Sequence, residues 1–177
     1  MFDLHETIYI DSRTLTAPER LACHLAALLY GYRTRPVFLC IGSDKVRGDS
    51  LGPLIGSLLQ KKAAKLCVFG TLDFPVHALN LADVTEYIYQ TYPDRPLVAI
   101  DASLGTREHV KYLTLGRGGL NPGAGVRKAL GTVGDIFLTG IVAPAGPFSN
   151  LALQTVQRST VLSMAAVMTE GILQAIK

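Results

Sequence analysis

Apolar positions along this chain follow two rhythms. Short unbroken apolar runs are bounded by Gly, Pro and charged residues, and between them apolar residues recur at every third or fourth position. Thr16-Ala17-Pro18-Glu19 has the form of a capping box with Pro in the first turn, and Leu21, Leu25, Leu28 and Leu29 follow at helical spacing. A helix to about Tyr30 is predicted, with His24 a core or boundary residue on its face. Pro36–Gly42 is a continuous apolar run, the pattern of a strand buried on both faces of a parallel sheet. After the polar loop Ser43–Gly48, Leu51, Leu54, Ile55, Leu58 and Leu59 predict a helix with Asp49 or Ser50 as N-cap. Leu66–Gly70 predicts a second strand, Val76 to about Thr91 a helix opened by Asp73-Phe74-Pro75, and Pro96–Asp101 a third strand ending on a carboxylate. Val110–Leu115 and Asp135–Val142 predict two more strands. Asn150 caps one long last helix bearing Leu153, Val156, Val161, Met164, Ala165, Met168 and Ile172, with the methionines as core filling.

The alternation β-α-β-α-β implies parallel strands joined by right-handed crossovers, hence a three-layer α/β/α sandwich with a mostly parallel, mixed central sheet. With 177 residues, no repeat and no linker, one domain (1–177) is expected, residues 1–34 forming a helical extension packed on it.

Composition narrows the function classes. Hydrophobic residues are 49% and charged residues 18% of the chain, enough for a full core. Seventeen Lys and Arg against 14 Asp and Glu give a net charge of +3, with no long basic run, so nucleic acid is not the expected partner. No apolar run reaches the ~18–20 residues of a membrane span, and the acidic start Asp3–Glu6 does not resemble a signal peptide. A cytoplasmic location is therefore expected, with Cys23, Cys40 and Cys67 as reduced core residues.

In an open parallel sheet, ligands bind at the carboxyl ends of the strands. Asp49 follows the first of these strands and Asp101 ends the third. A carboxylate at the end of an apolar strand is costly unless it has partners or a function. The plain alternative is an N-cap for Asp49 and hydrogen bonds to loop amides for Asp101. If functional, the helix start and Lys45 or Arg47 would hold Asp49 ionised, while burial and the charge of Asp49 would keep Asp101 protonated. Such a pair suits general acid–base hydrolysis. It also suits a divalent metal, but no third ligand stands at metal-binding spacing, so no cofactor is assigned.

Three motifs compete. Gly48-Asp49-Ser50-Leu51-Gly52 fits the nucleophile pattern G-x-S-x-G, but it is separated from its strand by a polar loop, and the last histidine is His109. Gly42-Ser43-Asp44 breaks the dinucleotide fingerprint, and no P-loop motif is present. Asn121-Pro122-Gly123-Ala124-Gly125 is either a structural turn or a cradle for an anion or a substrate backbone.

Taken together, several segments resemble the YyaC family (DUF1256-type) of sporulation proteins. They are Leu39–Asp44, Gly48–Pro53, Gly70–Ala78, Ile100–Gly105, Asn121–Val126 and Val133–Val142. The likeness runs in order from about Arg35 to the C-terminus. That family resembles, more distantly, the spore germination protease and the hydrogenase maturation endopeptidases, which implies a phosphorylase/hydrolase-like fold. Asp49 in Asp49-Ser50-Leu51-Gly52-Pro53 and Asp101 in Ile100-Asp101-Ala102 match the two catalytic aspartates of the germination protease. Pro122–Val126 resembles one of its turns. That protease is about twice as long and is made as a zymogen. In the hydrogenase endopeptidases Asp49 and Asp101 match a Glu and an Asp that contact nickel, and nothing clear matches their His.

The resemblance implies an aspartate-dependent endopeptidase acting on a protein or peptide in sporulation or germination, small acid-soluble spore proteins among the substrates, in the sporulating cell or spore core. The expected site comprises catalytic Asp49 and Asp101, with Gly42, Ser43, Asp44, Ser50, His77, Asn121, Gly123 and Gly125 around the cleft. The alternative is a catalytically inactive binding or regulatory protein that reuses the same cleft. A homo-oligomer is compatible with either. The two carboxyls are expected to converge on one cleft bordered by Asn121–Gly125.

Overall fold

The computed structural model describes residues 7–121 and 132–177. Its elements are β1 (Ile8–Asp11), α1 (Ala17–Leu29), β2 (Val37–Cys40), α2 (Leu51–Lys62), β3 (Cys67–Phe69), α3 (Leu81–Thr91), β4 (Leu97–Gly105), β5 (Tyr112–Arg117), β6 (Ile136–Pro144), α4 (Ser149–Thr155) and α5 (Arg158–Ala175). The strands form one sheet in the order β1-β5-β6-β4-β2-β3. β2 is parallel to β3 and β4, and β4 to β6; β5 is antiparallel to both its neighbours. The expected α/β sandwich with a mostly parallel, mixed sheet is therefore present.

The continuous apolar runs are buried on both faces because their residues alternate between two cores. Phe38, Cys40, Val98, Ile100, Leu113 and Leu138 pack with Leu21 and Leu25 of α1, Ile55 of α2, and Met164 and Met168 of α5. Val37, Leu39, Leu97 and Ala99 face the other way, against Leu81 and Ile88 of α3.

Several expectations need correction. The first 34 residues are more than a helical extension: Ile8–Asp11 is an edge strand paired with β5, and Ile10 is fully buried. Val76 does not open a helix. It bridges Ile41 in parallel, and its carbonyl accepts from the Gly42 amide at 2.8 Å, so the chain stays extended and α3 starts only at Leu81. β4 does not end at Asp101 but runs on to Gly105, because β6 continues beside it.

The last helix is two. Val156 and Gln157 are extended, and the Val156 carbonyl accepts from the Arg47 guanidinium at 3.3 Å instead of a helical amide. Neither α1 nor α2 has a side-chain N-cap bond, so the capping box at Thr16 is not formed. Cys40 is buried and Cys67 half-buried, but Cys23 is exposed. The buried stripe of α1 is Leu21, Ala22, Leu25 and Leu28, which leaves position 23 on the outside.

Candidate active site

The topology creates one crevice at the carboxyl edge of the sheet. From β2 the chain passes through α2 outward to β3, then returns through α3 across β2 to β4. The winding reverses between β2 and β4, the kind of switch point at which open α/β sheets bind ligands. β2 stops opposite Ile100, while β4 continues. Asp101 is thus the first β4 residue past the end of β2, and Thr139 of β6 lies beside it in register.

Asp49 comes from the other side of the crevice. It lies in a single 3₁₀ turn, Gly48–Ser50, that leads into α2. The turn folds back on the end of β2, where the Ser43 amide donates to the Asp49 carbonyl at 3.2 Å. Gly42 makes this approach feasible. Its φ is +141°, and a Cβ there would collide with the Asp49 carbonyl oxygen.

The two carboxyls feel each other. Burial raises the pKa of Asp101 well above the ordinary carboxylate value, and the charge of Asp49 raises it further, against one hydrogen bond from the Ala102 amide to Oδ1 at 2.8 Å. As a whole residue Asp101 is half-buried. Asp49 is also raised, by burial, with the Ser43 backbone and the charge of His77 opposing. The expected depression of Asp49 by Lys45 or Arg47 does not occur. Both cations line a neighbouring cleft, and His77 is the nearby positive group. Nor is Asp49 an N-cap: α2 starts after Ser50 without a side-chain cap, and the Ser50 hydroxyl donates to the Arg47 carbonyl at 2.7 Å.

The other expected residues divide by position. His77 precedes α3 in a turn held by Asn80, whose Oδ1 accepts from the His77 amide at 2.8 Å. It borders a groove of about 500 Å³ with Thr71, Asp73 and Phe74. Ser43 accepts from the Lys45 amide, and Asp44 is exposed. Asp44 and Ser50 line a separate cleft of about 540 Å³. Asn121 lines a third depression, of about 430 Å³. Gly123 and Gly125 lie outside the described residues.

That third depression was not legible from sequence. Its floor is the side of β4, β5 and β6 that faces away from α1, α2 and α5. Thr139 hydrogen-bonds Thr114 at 2.6 Å and Ser103 at 2.9 Å, a hydroxyl row that starts beside Asp101. Three hydroxyls scattered over 36 positions share no spacing signal; strand register alone joins them. Among the described residues, no three His, Cys, Asp or Glu side chains are grouped to hold a metal ion.

An open α/β protein with Asp101 at the switch point of its sheet, and Asp49 in the turn that folds onto the end of the neighbouring strand, is what the fold defines. The chain belongs to the DUF1256 family, described as a protein of unknown function, which matches residues 9–171. It is similar to the uncharacterized protein YyaC of Bacillus subtilis (strain 168), with 37% identity over 166 residues, covering 93% of this chain and 81% of that protein.

Proposed function

We propose that this chain is a peptidase in which Asp49 and Asp101 hydrolyse a peptide bond of a spore protein. The observation that carries the reading is the placement of Asp101 just past the end of β2 at the switch point, with the Asp49 turn folded onto the same strand end. Burial and the charge of Asp49 both raise the pKa of Asp101, so Asp101 is the carboxyl that keeps its proton. Asp49, opposite His77 and the Ser43 amide, is the better carboxylate. It takes a proton from a water that attacks the carbonyl carbon. Asp101 gives its proton to the leaving amine as the C–N bond breaks. The role in sporulation or germination rests on the likeness to spore proteases.

The second reading is a non-catalytic binding protein. One observation favours it: neither aspartate is among the residues lining the cleft of about 540 Å³. Incubation of the purified chain with small acid-soluble spore proteins separates the two. Discrete fragments that vanish in Asp101→Asn support the peptidase. Binding without fragments, with or without added divalent metal, supports the second.

A further inference from the structure

From the cleft beside the Asp49 turn we infer a subsite for acidic, apolar peptide segments. The inference deepens the peptidase reading and rests on it for its place in catalysis, but binding at the subsite can be measured without cleavage. The cleft, of about 540 Å³, lies between the Asp44–Ser50 loop and the start of α5. Among the described residues three cations line it, Lys45, Arg47 and Arg158, against one carboxylate, Asp44. Among the described residues, neither ion pair involves any of these four side chains.

Unpaired cations gathered in a concave site lack the compensation that carboxylates normally supply, and their field favours an anionic guest. Arg47 is also pre-positioned. One guanidinium N–H is held by the Val156 carbonyl, which leaves most of its five donors for a ligand. The chain break between α4 and α5 leaves that carbonyl free to accept it.

The walls decide which anion fits. Leu54, Leu72, Val161 and Leu162 supply apolar surface, and Leu72 and Leu162 are 39% and 46% exposed. Among the described residues no aromatic ring lines the cleft, so they offer a nucleobase no stacking platform. Carboxylates next to aliphatic side chains match both features. The location gives the subsite its use. Arg47 and Ser50, on either side of Asp49 in the chain, line the cleft while Asp49 itself does not, so the subsite adjoins the Asp49 turn, and a segment held there would have to pass around that turn to be cleaved.

The test is fluorescence anisotropy on the full wild-type chain. The probes are a labelled peptide of alternating Glu and Leu and its Gln-for-Glu counterpart. The acidic peptide should bind at least about tenfold tighter, with the margin shrinking as salt rises. The margin should disappear in Lys45→Glu/Arg158→Glu, a variant required to melt as wild type does. Equal affinity of the two peptides overturns the subsite, as does a margin that survives charge reversal. So does displacement of the peptide by inorganic phosphate or a single-stranded oligonucleotide at lower concentration than by free acidic peptide. Mass spectrometry of the same mixtures reads cleavage separately. Selective binding with no cleavage of any peptide or spore protein leaves the subsite and removes the peptidase. Cleavage that ignores the acidic residues does the reverse.

Discussion

Asp101 is the residue on which the proposed chemistry turns. Its folded-state pKa is raised, so the native state holds its proton over a range where the unfolded chain, near 3.8, has lost it. Stability from this group therefore falls as pH rises from about the unfolded value through the raised one. Asp101→Asn removes that cost while keeping an oxygen for the Ala102 amide. The variant should melt at or above wild type at neutral pH, and the difference should close as pH falls toward 3.8. Peptide hydrolysis should be lost. A stability loss of ~3 kcal/mol or more with surviving activity would instead mark a buried structural acid. Asp49 caps nothing, so Asp49→Ala should stay within roughly 0.5 kcal/mol of wild type in denaturant unfolding, below the cost of a lost cap. The pH–rate profile should be bell-shaped, rising as Asp49 ionises and falling as Asp101 does. His77→Gln should move the acid limb upward, since the His77 charge favours ionised Asp49.

Among the elements, α2 is set by what its first turns touch. Gly52 lies against the backbone of Ile41, and Gly56 against that of Gly70, with no room for a Cβ at either. Gly52→Ala should therefore destabilise by ~1–3 kcal/mol despite a helix-propensity gain of ~1 kcal/mol. Urea titration reads the sign directly; a more stable variant would show that α2 can slide off the end of β2. The same element view explains which boundaries misled. Helical spacing carries across Val156 because that residue is buried in a helix-like register, at 7% exposure. The extended backbone of Val156 and Gln157, with the Arg47 guanidinium on the Val156 carbonyl, reveals the break.

In the whole molecule, the N-terminal segment is part of the sheet and of the larger core. β1 completes the edge at β5, and Leu21 packs so tightly on Gly171 of α5 that a Cβ there would meet its side chain. Deletion of residues 1–34 should abolish the cooperative thermal transition by circular dichroism. A folded, cooperatively melting fragment 35–177 would restore the view of an appended helix. No helix among the described residues is long and apolar enough to cross a membrane.

The apolar runs at 37–40 and 97–100 and the leucine spacing of α1 and α2 specify strands, helices and their alternation by themselves, because period and burial are local properties of a sequence. The candidate aspartates were legible for the same reason: Asp101 directly follows such a run, and Asp49 stands just before the leucine spacing of α2. Strand order, the reversal between β2 and β4, and the pairing of β1 were not, because they depend on which distant strands exchange hydrogen bonds. The electrostatics followed the tertiary structure too. Lys45 and Arg47 stand closer in sequence to Asp49 than His77 does, yet His77 supplies the positive charge that Asp49 feels. The parallel bridge of Val76 to Ile41 brings that loop to the crevice, while the Val156 carbonyl draws Arg47 toward α5.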